Sequence, residues 1–234
     1  MAQLAAMPRC PSITCASIPH PPSSADDPLW MLAEPAVISH FHSASSDHRP
    51  ATECRALYVH GEAVHLRFAV WDRWVVARHT APNSAVYQDA CVEFFFSCAE
   101  GMYINVETNC IGCSLVQRHA IAAPREGATL PPEQVARIVR SPSLPRDHEI
   151  DSEIAETTAW TVTLTIPNAL IAEVAAPHSP RLPAPGVVWP ANFYKCADAS
   201  THPHWGAWSS IGDKLNFHQP DRFGRLVFGP LAER

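Results

Sequence analysis

The sequence predicts an all-β fold: an antiparallel β-sandwich, jelly-roll-like or immunoglobulin-like in its two-sheet architecture, with long loops and little helix. Three stretches carry that prediction. In residues 87–112, YQDACVEFFFSCAEGMYINVETNCIG, Val92, Phe94 and Phe96 alternate with Cys91, Glu93 and Phe95; beyond a turn at 98–101, Ile104 and Val106 alternate with Tyr103, Asn105, Glu107 and Asn109. That two-residue period is the mark of a β-hairpin. Two further alternating runs, 55–60 and 64–71, join around Gly61 and Glu62 as a second hairpin. In residues 159–166, AWTVTLTI, Trp160, Val162, Leu164 and Ile166 lie on one face and threonines on the other. Many short strands separated by turn residues suit two packed sheets.

Taken in order, residues 1–26 are rich in Pro and Ser and read as a disordered leader, and residues 27–234 as a single domain, since no linker divides them. Residues 30–38 read as an entry strand. In the 64–71 run, Val64, Leu66, Phe68 and Val70 are expected inside and His65 and Arg67 outside. Trp74, Val75 and Val76 form a short run, and 81–85 a loop that delivers Tyr87 to the central hairpin. Residues 119–132 read as a loop and 135–140 as a strand. Pro167 ends the 159–166 strand and opens a short helix or turn in PNALIAEV. After a proline-rich surface loop, VVWPANFYKC resumes as strand, and a His- and Trp-rich loop leads to a closing strand at 225–228.

The chain has 234 residues, with 23 acidic against 17 basic side chains and a formal charge of −6, and no Lys/Arg run. This balance argues against nucleic acid and anionic membrane as partners and points to a neutral one. No apolar run approaches the ~18 residues of a membrane span, so a soluble protein is expected. Pro8, Arg9 and Pro11 break up any signal-like core, which points to an intracellular location. The eight cysteines read mostly as buried free thiols; Cys110 and Cys113 form a lone CxxC without the second ligand pair of a zinc site, and no metal is expected there.

Pairing across the 98–101 turn sets Glu93 opposite either Asn105 or Glu107, and in both registers Glu93, Asn105 and Glu107 form one polar cluster. Tyr87 precedes that hairpin, and Asn216, Phe217 and His218 lie in the last long loop. Flat aromatic faces take the C–H side of a pyranose, and planar amide and carboxyl groups pair with its hydroxyls. Lys195, Asp198, His202 and His204 read as a polar network shaping their loop, and Trp205 and Trp208 as structural.

The blocks YQDACVEFFF, YINVETNCIG, NFYKCADASTHPHWGAW and NFHQPDRFG, in this order, resemble the carbohydrate-binding module family 9-like domain in its stand-alone bacterial form, over residues 30–230. The resemblance implies a non-catalytic β-sandwich module that supports carbohydrate or polysaccharide catabolism alongside glycoside hydrolases. Its ligand would be a mono- or oligosaccharide, clamped between Tyr87 and Phe217 and hydrogen-bonded by Glu93 and Asn105, with Glu107, Asn216 and His218 at the rim. Members of the family have tryptophan at the positions of Tyr87 and Phe217 and arginine at that of Asn105. Structural calcium is a family feature, yet no compact Asp-rich loop supplies its usual ~6–8 oxygen ligands. Two other functions fit the residues: a glycoside hydrolase using Glu93 and Glu107, and a protein-interaction domain on the same fold.

Overall fold

The computed structural model describes residues 10–232. In chain order its strands are β1 (Ser12–Ser17), β2 (Ala36–Ile38), β3 (His40–Phe41), β4 (Ala51–Val59), β5 (Ala63–Asp72), β6 (Val75–Ala77), β7 (Cys91–Ala99), β8 (Met102–Asn109), β9 (Ser114–Ala120), β10 (Ala123–Thr129), β11 (Val139–Pro142), β12 (Ile150–Ile154), β13 (Thr158–Pro167), β14 (Val188–Cys196), β15 (Trp205–Ala207) and β16 (Gly224–Leu231). Two short helices, α1 (Pro132–Val135) and α2 (Asn168–Ala175), interrupt them.

One curled sheet runs in the order β10-β9-β8-β7-β14-β16-β1-β4-β5-β13-β11, and β6 pairs with β12 apart from it. The sheet closes over a shared core: Phe68 of β5 packs edge-on against Phe193 of β14, with ring centroids 6.1 Å apart. Within the β7 half, Trp189, Phe96, Phe94 and Phe193 form a stack with successive spacings of 4.9, 4.7 and 5.1 Å. The side chains that alternation placed inside, Val92, Phe94, Phe96, Ile104, Val106, Leu66, Phe68, Val162 and Leu164, are all buried there. Leu170, Ile171 and Val174 of α2 join the same core.

The structure corrects several expectations. The sandwich is mixed, because β1 runs parallel to both β16 and β4. Residues 12–17, assigned to a disordered leader, are that strand; residues 1–9 lie outside the described part of the chain. A strand can form here because Ile13 and Cys15 turn inward and are buried. In residues 30–38 a 3₁₀ turn, Pro28–Leu32, precedes the three-residue strand β2. The loop expected at 119–132 is largely the hairpin β9–β10, whose outer strand APREGAT has no apolar alternation to reveal it. Residues 135–140 divide between the end of α1 and the start of β11. His65 keeps its outward phase, opposite to that of Val64 and Leu66, but is buried, since the N-terminal segment crosses over β5, where Arg67 Nε donates to the Ala25 carbonyl at 2.6 Å.

Candidate functional site

The β7–β8 register places Glu93 directly opposite Glu107, and Phe95 opposite Asn105. On the other flank of β7, Tyr194 lies opposite Glu93 and Cys196 opposite Cys91. Since side chains alternate along each strand, Glu93, Phe95, Tyr103, Asn105, Glu107, Tyr194 and Cys196 share the face turned away from the main core. This face is covered. The segment after β15 lays Ile211, Phe217 and Phe223 over Phe95, Tyr103 and Tyr194 as a second apolar cluster. The Phe217 ring stacks on Tyr194 at 4.1 Å, and the Tyr194 hydroxyl donates to the Phe217 carbonyl at 3.0 Å.

Beside this cover a cavity of about 670 Å³ opens onto Glu93 and Glu107, with Tyr87, Trp205 and Phe217 among its walls and Asn216 and His218 at one side. Tyr87 sits in a 3₁₀ turn, Val86–Gln88, and is 37% exposed. That turn is anchored from beneath: the buried Asp89 carboxylate accepts from the backbone N–H groups of Arg78 and His79 and from Asn109 Nδ2, at 2.8–3.0 Å. The Tyr87 carbonyl accepts the Asp198 backbone N–H at 3.1 Å, which brings a third carboxyl group to the same cavity. Trp205 Nε1 donates to Asp198 Oδ1 at 2.7 Å, so the indole and the carboxylate are held as a unit.

Each glutamate has one oxygen engaged and one without a partner. Cys196 Sγ donates to Glu93 Oε1 at 3.1 Å, and Asn105 Nδ2 donates to Glu107 Oε1 at 2.7 Å. Glu93 Oε2 and Glu107 Oε2 make no hydrogen bond. Burial pushes the Glu93 carboxyl well above the usual range, and the neighbouring Cys196 and Glu107 add to it. Burial also raises Glu107 to about 7, against the opposing pull of the Asn105 amide. Asp198, exposed at the mouth, is raised as well, by burial against its loop and in opposition to the Trp205 N–H. Burial lowers His218 to about 4, leaving it neutral at pH 7. Among the described residues, no Lys or Arg lines the cavity.

Of the seven residues singled out from sequence, Tyr87, Glu93, Glu107, Asn216, Phe217 and His218 line this one cavity. Asn105 does not: it is fully buried, spending its amide on Glu107 and Gln117 and its carbonyl oxygen on His119 Nε2 at 2.9 Å. It holds Glu107 in place while Gln117 reaches the cavity. The β8–β9 register, with Leu115 opposite Glu107 and Gln117 opposite Asn105, carries this face onto a third strand. The alternation of Leu115, Gln117 and His119 was the available signal for it. The sequence reads Asp198 as part of a polar network shaping its loop and Trp205 as structural, yet both line the cavity.

The other members of that loop network lie apart. Lys195 has the opposite phase on β14 and is fully buried, 3.1 Å from Asp72 Oδ2 and 2.8 Å from His204 Nε2, while His48 Nε2 is 2.8 Å from Asp72 Oδ1. Burial opposes charge on Asp72, but Lys195 and His48 hold its carboxyl below the usual range. His202 stacks on Trp74 at 3.5 Å.

The eight cysteines are all free thiols. Cys91 Sγ, Cys196 Sγ and a Glu93 oxygen lie within 4.8 Å of one another. Two sulfurs and one oxygen do not fit calcium, which takes only oxygen ligands. Burial pushes the Cys91 thiol up to about 12, so it keeps its proton. Among the described residues, no helix is long and apolar enough to cross a membrane.

A family model described as carbohydrate-binding family 9 matches residues 33–228. Among solved structures, a carbohydrate-binding candidate from Bacteroides uniformis ATCC 8492 is 26% identical with a TM-score of 0.77, the match covering 93% of this chain and 98% of that one. A family 9 carbohydrate-binding module from Caldicellulosiruptor kristjanssonii, solved with cellotriose, is 16% identical with a TM-score of 0.56, covering 96% of this chain and 95% of that one. The same description with glucose gives 16% identity and a TM-score of 0.57, over 96% and 98% of the two chains. No curated protein matches. With the family model spanning most of its length, this chain belongs to carbohydrate-binding family 9.

Proposed function

We propose that this protein is a non-catalytic saccharide-binding module whose mono- or oligosaccharide ligand occupies the cavity above Glu93 and Glu107. The observation that carries this is the pairing, in one cavity, of aromatic walls with a floor of buried carboxyl groups whose outer oxygens have no partner. A buried polar atom without a hydrogen bond is costly, and a sugar hydroxyl would satisfy it. Tyr87, Trp205 and Phe217 would take the apolar faces of the ring, Glu93, Glu107 and Gln117 its hydroxyls, and Asn105 would act through Glu107. Similar structures hold cellotriose and glucose, so gluco-configured ligands are the first to try.

A hydrolase reading finds support in the raised pKa values of Glu93 and Glu107. Acid–nucleophile chemistry, however, needs two carboxyl groups driven apart, one protonated and one ionised, and here both move upward.

Calorimetry with D-glucose, cellobiose and cellotriose tests the proposal. Tyr87→Ala should weaken binding by about 1–3 kcal/mol through lost stacking, and Glu93→Leu by a similar amount through a lost hydrogen-bonding group. Unchanged affinity in both variants would place the site elsewhere, and release of reducing sugar from the oligosaccharides would replace the binding module with an enzyme.

A further inference from the structure

The cavity carries three carboxyl side chains and no cationic one: Glu93, Glu107 and Asp198 all line it, and among its lining residues there is neither Lys nor Arg. Acidic side chains gathered at a surface are ordinarily solvated and mean little. Here two of the three are only 2% and 4% exposed, and each presents an oxygen with no partner among the described residues. Cys196 and Asn105 take up the other oxygens, so these carboxyl groups are held in place rather than free to turn toward water.

We propose that the cavity selects amino sugars, with a protonated hexosamine seated so that its ammonium group lies among Glu93, Glu107 and Asp198 and its ring packs against the aromatic walls. This rests on the saccharide reading of the same cavity and narrows its ligand class. A neutral hexose would satisfy the two free oxygens with hydroxyls but bring no charge to three carboxyl groups that burial holds toward their protonated forms. An ammonium group brings three donors and the missing positive charge to the same place. Burial is the first cause of the upward shift of all three carboxyl groups, and a bound ammonium would oppose it. The charge balance of the whole chain suggested a neutral partner; the local arrangement calls for a cationic one.

The test is calorimetry at pH 7 with three probes: D-glucosamine, D-glucose and N-acetyl-D-glucosamine. The amine is expected to bind about tenfold tighter than D-glucose, as a charge-assisted hydrogen bond does over a neutral one. N-acetylation should abolish that gain, and added salt should shrink it. Asp198→Asn, a change at the exposed mouth that does not threaten the fold, should lower the glucosamine-to-glucose affinity ratio. Measurable glucose binding with a ratio of one or less overturns the amino-sugar inference and leaves the saccharide reading intact. An N-acetyl derivative as tight as the amine, or a ratio unmoved by Asp198→Asn, overturns it too. Absence of binding by all three probes overturns it as well, and with no binding of cellobiose or cellotriose either the saccharide reading falls with it.

Discussion

Two kinds of buried charge sit on opposite sides of β14, and they make opposite predictions. Glu107 has no cation near it and holds its proton up to about pH 7, whereas the same side chain in an unfolded chain titrates near 4.5. Between those values the unfolded state loses the proton and the folded state keeps it, so folding stability falls as pH rises and levels off above about 7. At about 1.4 kcal/mol per pH unit the loss amounts to roughly 3 kcal/mol at most. Thermal unfolding from pH 4.5 to 8 should show this decline, steepened by Glu93 and Asp198, and Glu107→Gln, which keeps the acceptor for Asn105, should make it shallower; a parallel curve for the variant would show that the other groups control the slope. Lys195 is the reverse case, a buried cation balanced by Asp72. Lys195→Met strands that carboxylate and should cost about 3–5 kcal/mol, with the double variant Lys195→Met/Asp72→Asn recovering part of the loss in urea denaturation. At this scale the sequence revealed that Glu93 and Glu107 cluster, because one short turn joins their strands. It did not reveal Asp198 or Trp205, because the chemistry of this floor is completed from far away: Cys196 reaches Glu93 across 103 residues.

Elements whose two faces differ were legible; elements without such contrast were not. In β13 apolar and polar residues alternate under a two-residue period, and in β7 the same period holds apart from Phe95 on the polar face; both strands formed as expected, each with its apolar phase inside. β10 has almost no apolar residue, and it exists because β9 offers it an edge and because Gly127 lets the chain pass against the His119 ring, where a Cβ would come within 2.3 Å. Asn105 illustrates the same limit within a legible strand. Alternation gives its phase, but only the cover laid down by residues 211–223 determines that an outward phase is buried. The core phase of β7 also makes the firmest prediction for an element. Phe94 lies between Phe96 and Phe193 in the central stack, so Phe94→Ala should cost about 3–5 kcal/mol in chemical denaturation, the range for emptying a large buried site. A cost below about 1 kcal/mol would mean that the stack relaxes to fill the gap.

For the whole molecule, closure depends on a strand that looked like part of a tail. β1 lies between β16 and β4 and runs parallel to both, so it joins the half of the sheet that carries the cavity to the half built from β4, β5 and β13. Parallel pairing on both sides is possible because β1 is reached from neither neighbour by a tight turn, which frees it from the antiparallel rule of the hairpins. Its register, with Ser12 opposite Arg225, Ile13 opposite Leu226 and Cys15 opposite Phe228, sets Cys15 and Phe228 side by side at the seam, and Ile13 and Cys15 are buried in the main core. A chain beginning at residue 27 would lose Ile13 and Ile18 from buried positions and leave the facing edges of β16 and β4 unpaired. Burying two such side chains contributes about 3 kcal/mol or more, and open edges invite association with other chains. The shortened chain should therefore unfold at a clearly lower urea concentration than the full one and sediment as larger species. A midpoint and sedimentation profile equal to those of the full chain would show that β16 and β4 hold their places without it, and that the seam lies elsewhere in the sheet.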